Sequence, residues 1–333
     1  MILIIFLPIS LITCQKSLEL NDSLTFFALG DWGGTNSYPY TTPAQLKIAE
    51  QMKKNANLEP ISFIISTGDN FYPNGILKND PRFEYTFKKV YLNDNSSLER
   101  IPWYIVLGNH DHRLGRARNQ LEYTKINDLW IFPDFIHTLK VNLNNDSIKF
   151  IFIDTIILCN LYEDGPMEKM YDSLNITYYN LLEKELINSK NDSIKIVVGH
   201  NPIYTKMFGR VVPECIGKHL KSLLDRYQVR IYLSGHDHTL QHHVYKNKYS
   251  QSDTNLFVTG GGSSIYYLPM IQDDDDEKNI QSKFYWKKSQ LNGFDLVTRE
   301  KGGFSQFKID KNGFSIKFID SDGNVLYNSS INF

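Results

Sequence analysis

Five short runs of β-branched, aromatic and aliphatic residues punctuate the chain, and each ends in glycine followed at once by a polar residue. Leu24–Leu29 leads into Gly30-Asp31, Ile61–Thr67 into Gly68-Asp69, and Trp103–Leu107 into Gly108-Asn109. Ile194–Val198 leads into Gly199-His200, and Arg230–Ser234 into Gly235-His236. Runs of this length and composition predict strands. Glycine at each end permits a sharp turn and a close approach of backbone to a bound group. Between the runs, Pro43–Lys54 and Tyr178–Asn188 carry apolar residues at three- and four-residue spacing and predict helices. Alternating strands and helices define an α/β domain with its site at the carboxyl ends of the strands. The five junctions are therefore expected to converge on one edge of the sheet.

Downstream the pattern changes. Leu256–Gly262 reads as another strand ending in a flexible turn. Gly303–Ile309, Phe314–Ile319 and Val325–Tyr327 alternate around Lys-Asn-Gly and Asp-Gly turns, which predicts a closing antiparallel meander. The acidic run Asp273–Glu277 reads as a solvated loop insertion. With no linker, repeat or second boundary, residues 18–333 are expected to form one catalytic domain. Its fold class is α/β, with two packed mixed β-sheets flanked by helices. Ahead of it, Met1–Thr13 is almost wholly apolar yet too short to cross a bilayer. Residues 1–17 read as a secretory signal peptide, the alternative being a buried first strand. No second apolar run is long enough to anchor the chain in a membrane, so the mature product is expected to be soluble.

Composition sharpens this only at a few points. A chain of 333 residues with 41% hydrophobic and 22% charged residues has the make-up of a globular protein. A formal net charge of −1 gives no electrostatic reason to expect nucleic acid or an anionic membrane as partner. Six Asn-x-Ser/Thr sequons, at Asn21, Asn95, Asn145, Asn175, Asn191 and Asn328, agree with a secretory route and are candidate glycosylation sites. If Cys14 leaves with the signal, Cys159 and Cys215 remain. An oxidising compartment would let them pair, and two buried free thiols are the alternative.

The polar groups gathered at the junctions are three carboxylate or phenolate oxygens (Asp31, Asp69, Tyr72), the amide of Asn109, and the imidazoles of His200, His236 and His238. Mixed oxygen and imidazole ligands suit iron, manganese or zinc rather than Mg²⁺ or Ca²⁺. Seven ligands are too many for one ion and natural for two with one carboxylate shared. Two ions roughly 3.5–4 Å apart can clamp the attacking and leaving oxygens of an in-line displacement.

Taken in order, Gly30-Asp-Trp-Gly33, Gly68-Asp-Asn-Phe-Tyr72, Gly108-Asn-His-Asp111, Gly199-His-Asn-Pro202 and Gly235-His-Asp-His238 resemble the five blocks of the calcineurin-like metallophosphoesterases. Gly33 stands where a generic member has histidine, and Tyr72 follows the second-block aspartate by three. Both features resemble the purple acid phosphatases, and the small animal type in particular. The likeness runs from about Leu24 to the carboxyl terminus and takes in Phe152–Thr155 and Gly302–Phe304.

That resemblance implies a β-sandwich with a dinuclear metal site and an acid phosphatase acting on phosphate monoesters or phosphoproteins. It implies Fe(III) on Asp31, Tyr72 and His238, and Fe(II), Zn or Mn on Asn109, His200 and His236. Asp69 would bridge the ions, and a metal-activated hydroxide would attack phosphorus. His110 is implied as phosphate binder and general acid, the alternative being a ring that only supports a ligand. Asp111 and His112 read as supporting residues. Cys159 and Cys215 match the family's disulfide positions, and the loop Asn160–Asn175 matches a segment cut by proteases in mammalian relatives. A second active-site histidine of the family falls at Gly209, with Arg210 beside it. A monomer in an extracellular, lysosomal or vacuole-like compartment is expected. The rival readings are a phosphodiesterase on the same scaffold and a non-catalytic scaffold relative.

Overall fold

The structure, a computed structural model, describes residues 15–93, 96–162, 168–207, 209–250, 252–265, 279–286 and 299–332. Among the described residues fifteen strands form two sheets. The smaller sheet runs, edge to edge, β15 (Val325–Ile331), β14 (Gly313–Asp320), β13 (Gly303–Asp310), β2 (Ser23–Leu29), β3 (Phe63–Ser66), β4 (Trp103–Ile105) and β5 (Trp130–Ile131). The larger runs β1 (Gln15–Leu20), β6 (His137–Leu143), β7 (Asp146–Phe152), β8 (Ile194–Val198), β9 (Ile231–Ser234), β11 (Asp253–Thr259), β10 (Leu240–Lys246) and β12 (Ile280–Tyr285).

Aromatic side chains fill the space between the sheets. Phe26 stacks on Phe63 and Phe307, with ring centroids 5.1 and 5.0 Å apart, and meets Phe150 of the facing sheet edge-on at 5.4 Å. Such pairs add to the plain burial of apolar area. On the outer face of the smaller sheet, Trp32, Trp103 and Trp130 are buried beneath the helix Pro43–Leu58 and the π-helical turn Phe83–Lys88. Thr42 caps that helix by accepting from the Gln45 N–H, and Pro43 takes its first position. The outer face of the larger sheet is covered by the helices Glu168–Asn188 and Lys221–Arg226.

All five Gly-terminated runs are strands, and the meander β13–β15 follows the predicted turns. One expectation needs correction. The five junctions lie on two sheets: β2, β3 and β4 pair parallel in the smaller, β8 and β9 in the larger. Their carboxyl ends abut at one end of the sandwich, so the convergence is real but spans a seam. At the amino-terminal side β1 begins at Gln15 and pairs parallel with β6, so residues 15–17 lie within the sheet. The acidic run Asp273–Glu277 lies outside the described residues. So do Met1–Thr13, Asn95 and part of the loop Asn160–Asn175. Among the other sequons, Asn21, Asn145, Asn191 and Asn328 are exposed, and Asn175 lies in the helix Glu168–Asn188. No helix among the described residues is long and apolar enough to cross a membrane.

Candidate metal centre

The chain must turn sharply after each strand for a side chain to face the seam. Asp31, Asp69 and His236 do so in the left-handed region, at φ 59°, 54° and 69°. Non-glycine residues there are uncommon and cluster at binding sites. The glycines ahead of them are needed chiefly for clearance. A Cβ on Gly108 would meet Asp69 Oδ1 and come within 2.7 Å of His200 Cε1, and one on Gly235 would lie 2.6 Å from Asp31 Oδ2.

These turns bring the seven ligand-type residues together as two clusters. In the first, Tyr72 Oη lies 3.0 Å from Asp31 Oδ1 and 2.9 Å from His238 Nε2, which is 3.4 Å from Asp31 Oδ1. In the second, Asn109 Oδ1 lies 3.1 Å from both His200 Nε2 and His236 Nδ1, and those two nitrogens are 3.2 Å apart. Asp69 stands beside the second cluster, with Oδ1 3.6 Å from His200 Nε2. Ligand atoms of Asp31, Asp69 and His200 all fall within 4.8 Å of one another, close enough to share cations.

Backbone groups orient these ligands. His200 Nδ1–H donates to Thr67 O at 2.8 Å, which leaves the Nε2 lone pair facing the site. The His236 N–H donates to Asp31 Oδ2 at 2.8 Å, linking the two sheets. Burial holds the imidazoles neutral: His238 is pushed down to about 3, His236 well below its ordinary range, and His200 below it too. Neutral imidazole is the form that binds a metal. The same burial pushes Asp31 well above the usual carboxylate range, with the Asp69 charge adding to it, and raises the Tyr72 hydroxyl well above its ordinary value. Neutral nitrogens beside crowded, hard-to-ionise oxygens fit bound cations, whose charge would stabilise the anionic forms.

His110 sits at the rim. Its Nδ1–H donates to Pro73 O at 2.6 Å, and its Nε2 lies 3.9 Å from Asp69 Oδ2. Asp111 and His112 are supporting residues, as expected. Asp111 accepts from the N–H groups of Asn70, Phe71 and Gly108 and from Gln120, while burial and the Asp69 charge raise its carboxyl to about 7. His112 Nε2–H donates to Asp154 Oδ2 at 2.7 Å, and Asp154 also caps the helix Thr155–Cys159. Cys159 and Cys215 form a disulfide with Cα atoms 5.7 Å apart, which excludes the free-thiol alternative.

Sequence reasoning missed Thr67, Pro73 and Asp154 as partners of the site histidines. It also missed Asp237, fully buried and bonded to Arg210. Asp237 had a signal, since it stands between His236 and His238. Thr67 and Pro73 act through backbone carbonyls, which leave no mark in a side-chain pattern.

A two-sheet sandwich with ligand-type side chains at its seam defines a metallophosphoesterase, and residues 24–240 match the calcineurin-like phosphoesterases, the family to which this chain belongs. Its relatives within that family are purple acid phosphatases. The sequence is 31% identical over 316 residues to tartrate-resistant acid phosphatase type 5 of Rattus norvegicus, covering 93% of this chain and 90% of the relative. It is 35% identical over 259 residues to purple acid phosphatase 3 of Arabidopsis thaliana, covering 74% and 64%. Among solved structures, GAP50, the anchor in the inner membrane complex of Plasmodium, superposes with a TM-score of 0.73 at 25% identity, covering 94% of this chain and 89% of that one.

Proposed function

We propose that the chain is an acid phosphatase that hydrolyses phosphate monoesters at a dinuclear centre. In this reading Asp31, Tyr72 and His238 hold Fe(III), Asn109, His200 and His236 hold Fe(II), Zn or Mn, and Asp69 bridges. The observation that carries it is the division of the ligand-type atoms into two clusters, one rich in carboxyl and phenol oxygen and one in neutral nitrogen and amide. Hard oxygen donors favour the trivalent ion, and imidazole the divalent one. Bound there, the ions would supply Lewis acidity toward the phosphoryl oxygens and make water a nucleophile in acid.

The protein's own residues do the rest. His200 and His236, kept neutral, meet the Asn109 amide oxygen in the nitrogen-rich cluster. The Pro73 carbonyl fixes the His110 ring so that Nε2 points to the site. A proton on Nε2 is then placed to pass to the leaving oxygen. Entry through the secretory pathway is supported by the apolar amino terminus, residues 1–17 being read as the leader, and by the disulfide. The chain from there to its carboxyl end acts as one catalytic domain.

The likeness to GAP50 favours a second reading, a scaffold without activity. Here the full ligand set is a reason to prefer the enzyme. One experiment separates them: metal analysis and a visible spectrum of the purified chain, with monoester and diester assays side by side. Two metal atoms per chain, a purple or pink colour lost in Tyr72→Phe, and turnover of monoesters over diesters are expected. A colourless protein that hydrolyses esters with chelator present would sink the proposal. A diester preference would assign the scaffold to phosphodiesterases.

A further inference from the structure

Gly209 leaves the site short of a side chain. By the family resemblance a second active-site histidine falls there, and glycine offers none. Its backbone has φ +73°, and no atom lies within 4 Å of where a Cβ would stand. The next residue turns back toward the seam. Arg210 Nε–H donates to Asp237 Oδ1 at 2.8 Å, and Nη2–H to the His236 carbonyl at 3.1 Å. Asp237 is fully buried, and the Arg210 side chain is one-third exposed. Removing one partner of such a pair strands the other as a buried charge, so the clamp is rigid. It uses two of the five N–H donors of the guanidinium. Its backbone N–H donates to Met207 O at 3.2 Å, and among the described residues the guanidinium bonds nothing further.

The position of this charge is informative. The Arg210 guanidinium is bonded to the carbonyl of His236, whose ring nitrogen lies 3.1 Å from Asn109 Oδ1, so it stands at the border of the ligand set. An arginine held there is placed to offer its remaining N–H donors to an anion at the rim.

We propose that Arg210, clamped by Asp237, grips the substrate phosphate and takes the place of the ring that Gly209 lacks. This rests on the phosphatase reading. A guanidinium presents forked donors suited to phosphoryl oxygens. It also stays charged from acid through neutral pH, where a histidine would discharge.

The test uses the metal-loaded full chain. Binding of inorganic phosphate is measured by calorimetry, and turnover of a small aryl phosphate by steady-state kinetics, both at pH 5 and pH 7. Arg210→Gln is compared with the wild type and with Arg210→Gln/Asp237→Asn, which removes the pair without stranding a buried carboxylate. Loss of one charge-assisted bond predicts phosphate binding about 10- to 100-fold weaker. KM should rise by a similar factor, with a smaller change in kcat and the same factor at both pH values. A phosphate Kd within twofold of wild type, in whichever variant keeps its metal, would overturn the proposal. So would a factor that vanishes at pH 7, which points to a histidine, or loss of metal from both variants, which makes Arg210 a structural clamp. A wild type that neither binds phosphate nor turns over monoesters fails the phosphatase reading instead.

Discussion

His137 lies away from the metal centre, and its burial sets a cost for working in acid. Its Nδ1–H donates to Asp134 O at 3.1 Å, and its ring stacks on Phe152 at 4.6 Å with 7° between the planes. Burial lowers it from 6.5 to about 3. The folded state thus stays neutral where the unfolded chain takes up a proton. This contribution is fully present above about pH 6.5 and is lost as pH falls toward 3, at about 1.4 kcal/mol per pH unit. By pH 5 the loss is about 2 kcal/mol. His137→Phe should therefore narrow the gap in unfolding free energy between pH 7.5 and pH 5 by about that amount. It should also lose about 1 kcal/mol at pH 7.5 for the missing hydrogen bond. Urea titrations at the two pH values check this, and an unchanged gap would place the acid sensitivity elsewhere. At this scale the sequence was informative where chemistry is carried by side chains after glycine, as at Asp69 or His200. It was silent at Thr67 and Pro73, where the partner is a carbonyl that any residue could supply.

Among the elements, the strands that end in ligands were legible because both of their faces are covered. Ile196–Val198 and Trp103–Ile105 read as continuous apolar runs for that reason. The hairpin of β6 and β7 escaped notice although β6 alternates and β7 ends in an apolar run. Its turn falls at Asn144-Asn145, with Asn144 at φ 54°, and in an Asn-rich chain such a pair reads as a sequon before it reads as a turn. The π-helical segments Phe83–Lys88 and Cys215–Leu220 carry no local signal, because packing selects them. The second of these heads the disulfide. The bridge spans a sequence separation of 56 and ties the helix capped by Asp154 to the segment after Arg210. Loop-closure entropy assigns it about 4 kcal/mol. Cys159→Ser/Cys215→Ser should lower the unfolding free energy by about that much and loosen phosphate binding through Arg210. Denaturant titration with parallel phosphate calorimetry measures both. Full stability in the double variant would mean that the packing of Ile216 and Leu220 alone holds the segment.

For the molecule as a whole, the centre is a seam between two sheets that share one core. Asp31, Asp69, Tyr72 and Asn109 come from the ends of β2, β3 and β4, and His200, His236 and His238 from β8 and β9. Several hydrogen bonds already cross that line, including Gly30 N–H to Thr259 O and His200 Nδ1–H to Thr67 O, both at 2.8 Å. They bring the buried carboxyls of Asp31 and Asp69 into mutual repulsion, with Asp111 close behind. Cations held at the seam would relieve that repulsion and bind the sheets to each other, so metal affinity becomes folding free energy. Removing them should then act locally before it acts globally. Amide exchange in chelated protein should speed up at residues 30–31, 68–72, 108–111, 199–201 and 235–238, while the meander β13–β15 keeps its protection. Restoring the metals should reverse the change. Acceleration spread evenly over both sheets would mean that the ions stabilise the fold as a unit. No acceleration at all would mean that the seam holds without them, and that its crowded carboxylates are neutralised by protons instead.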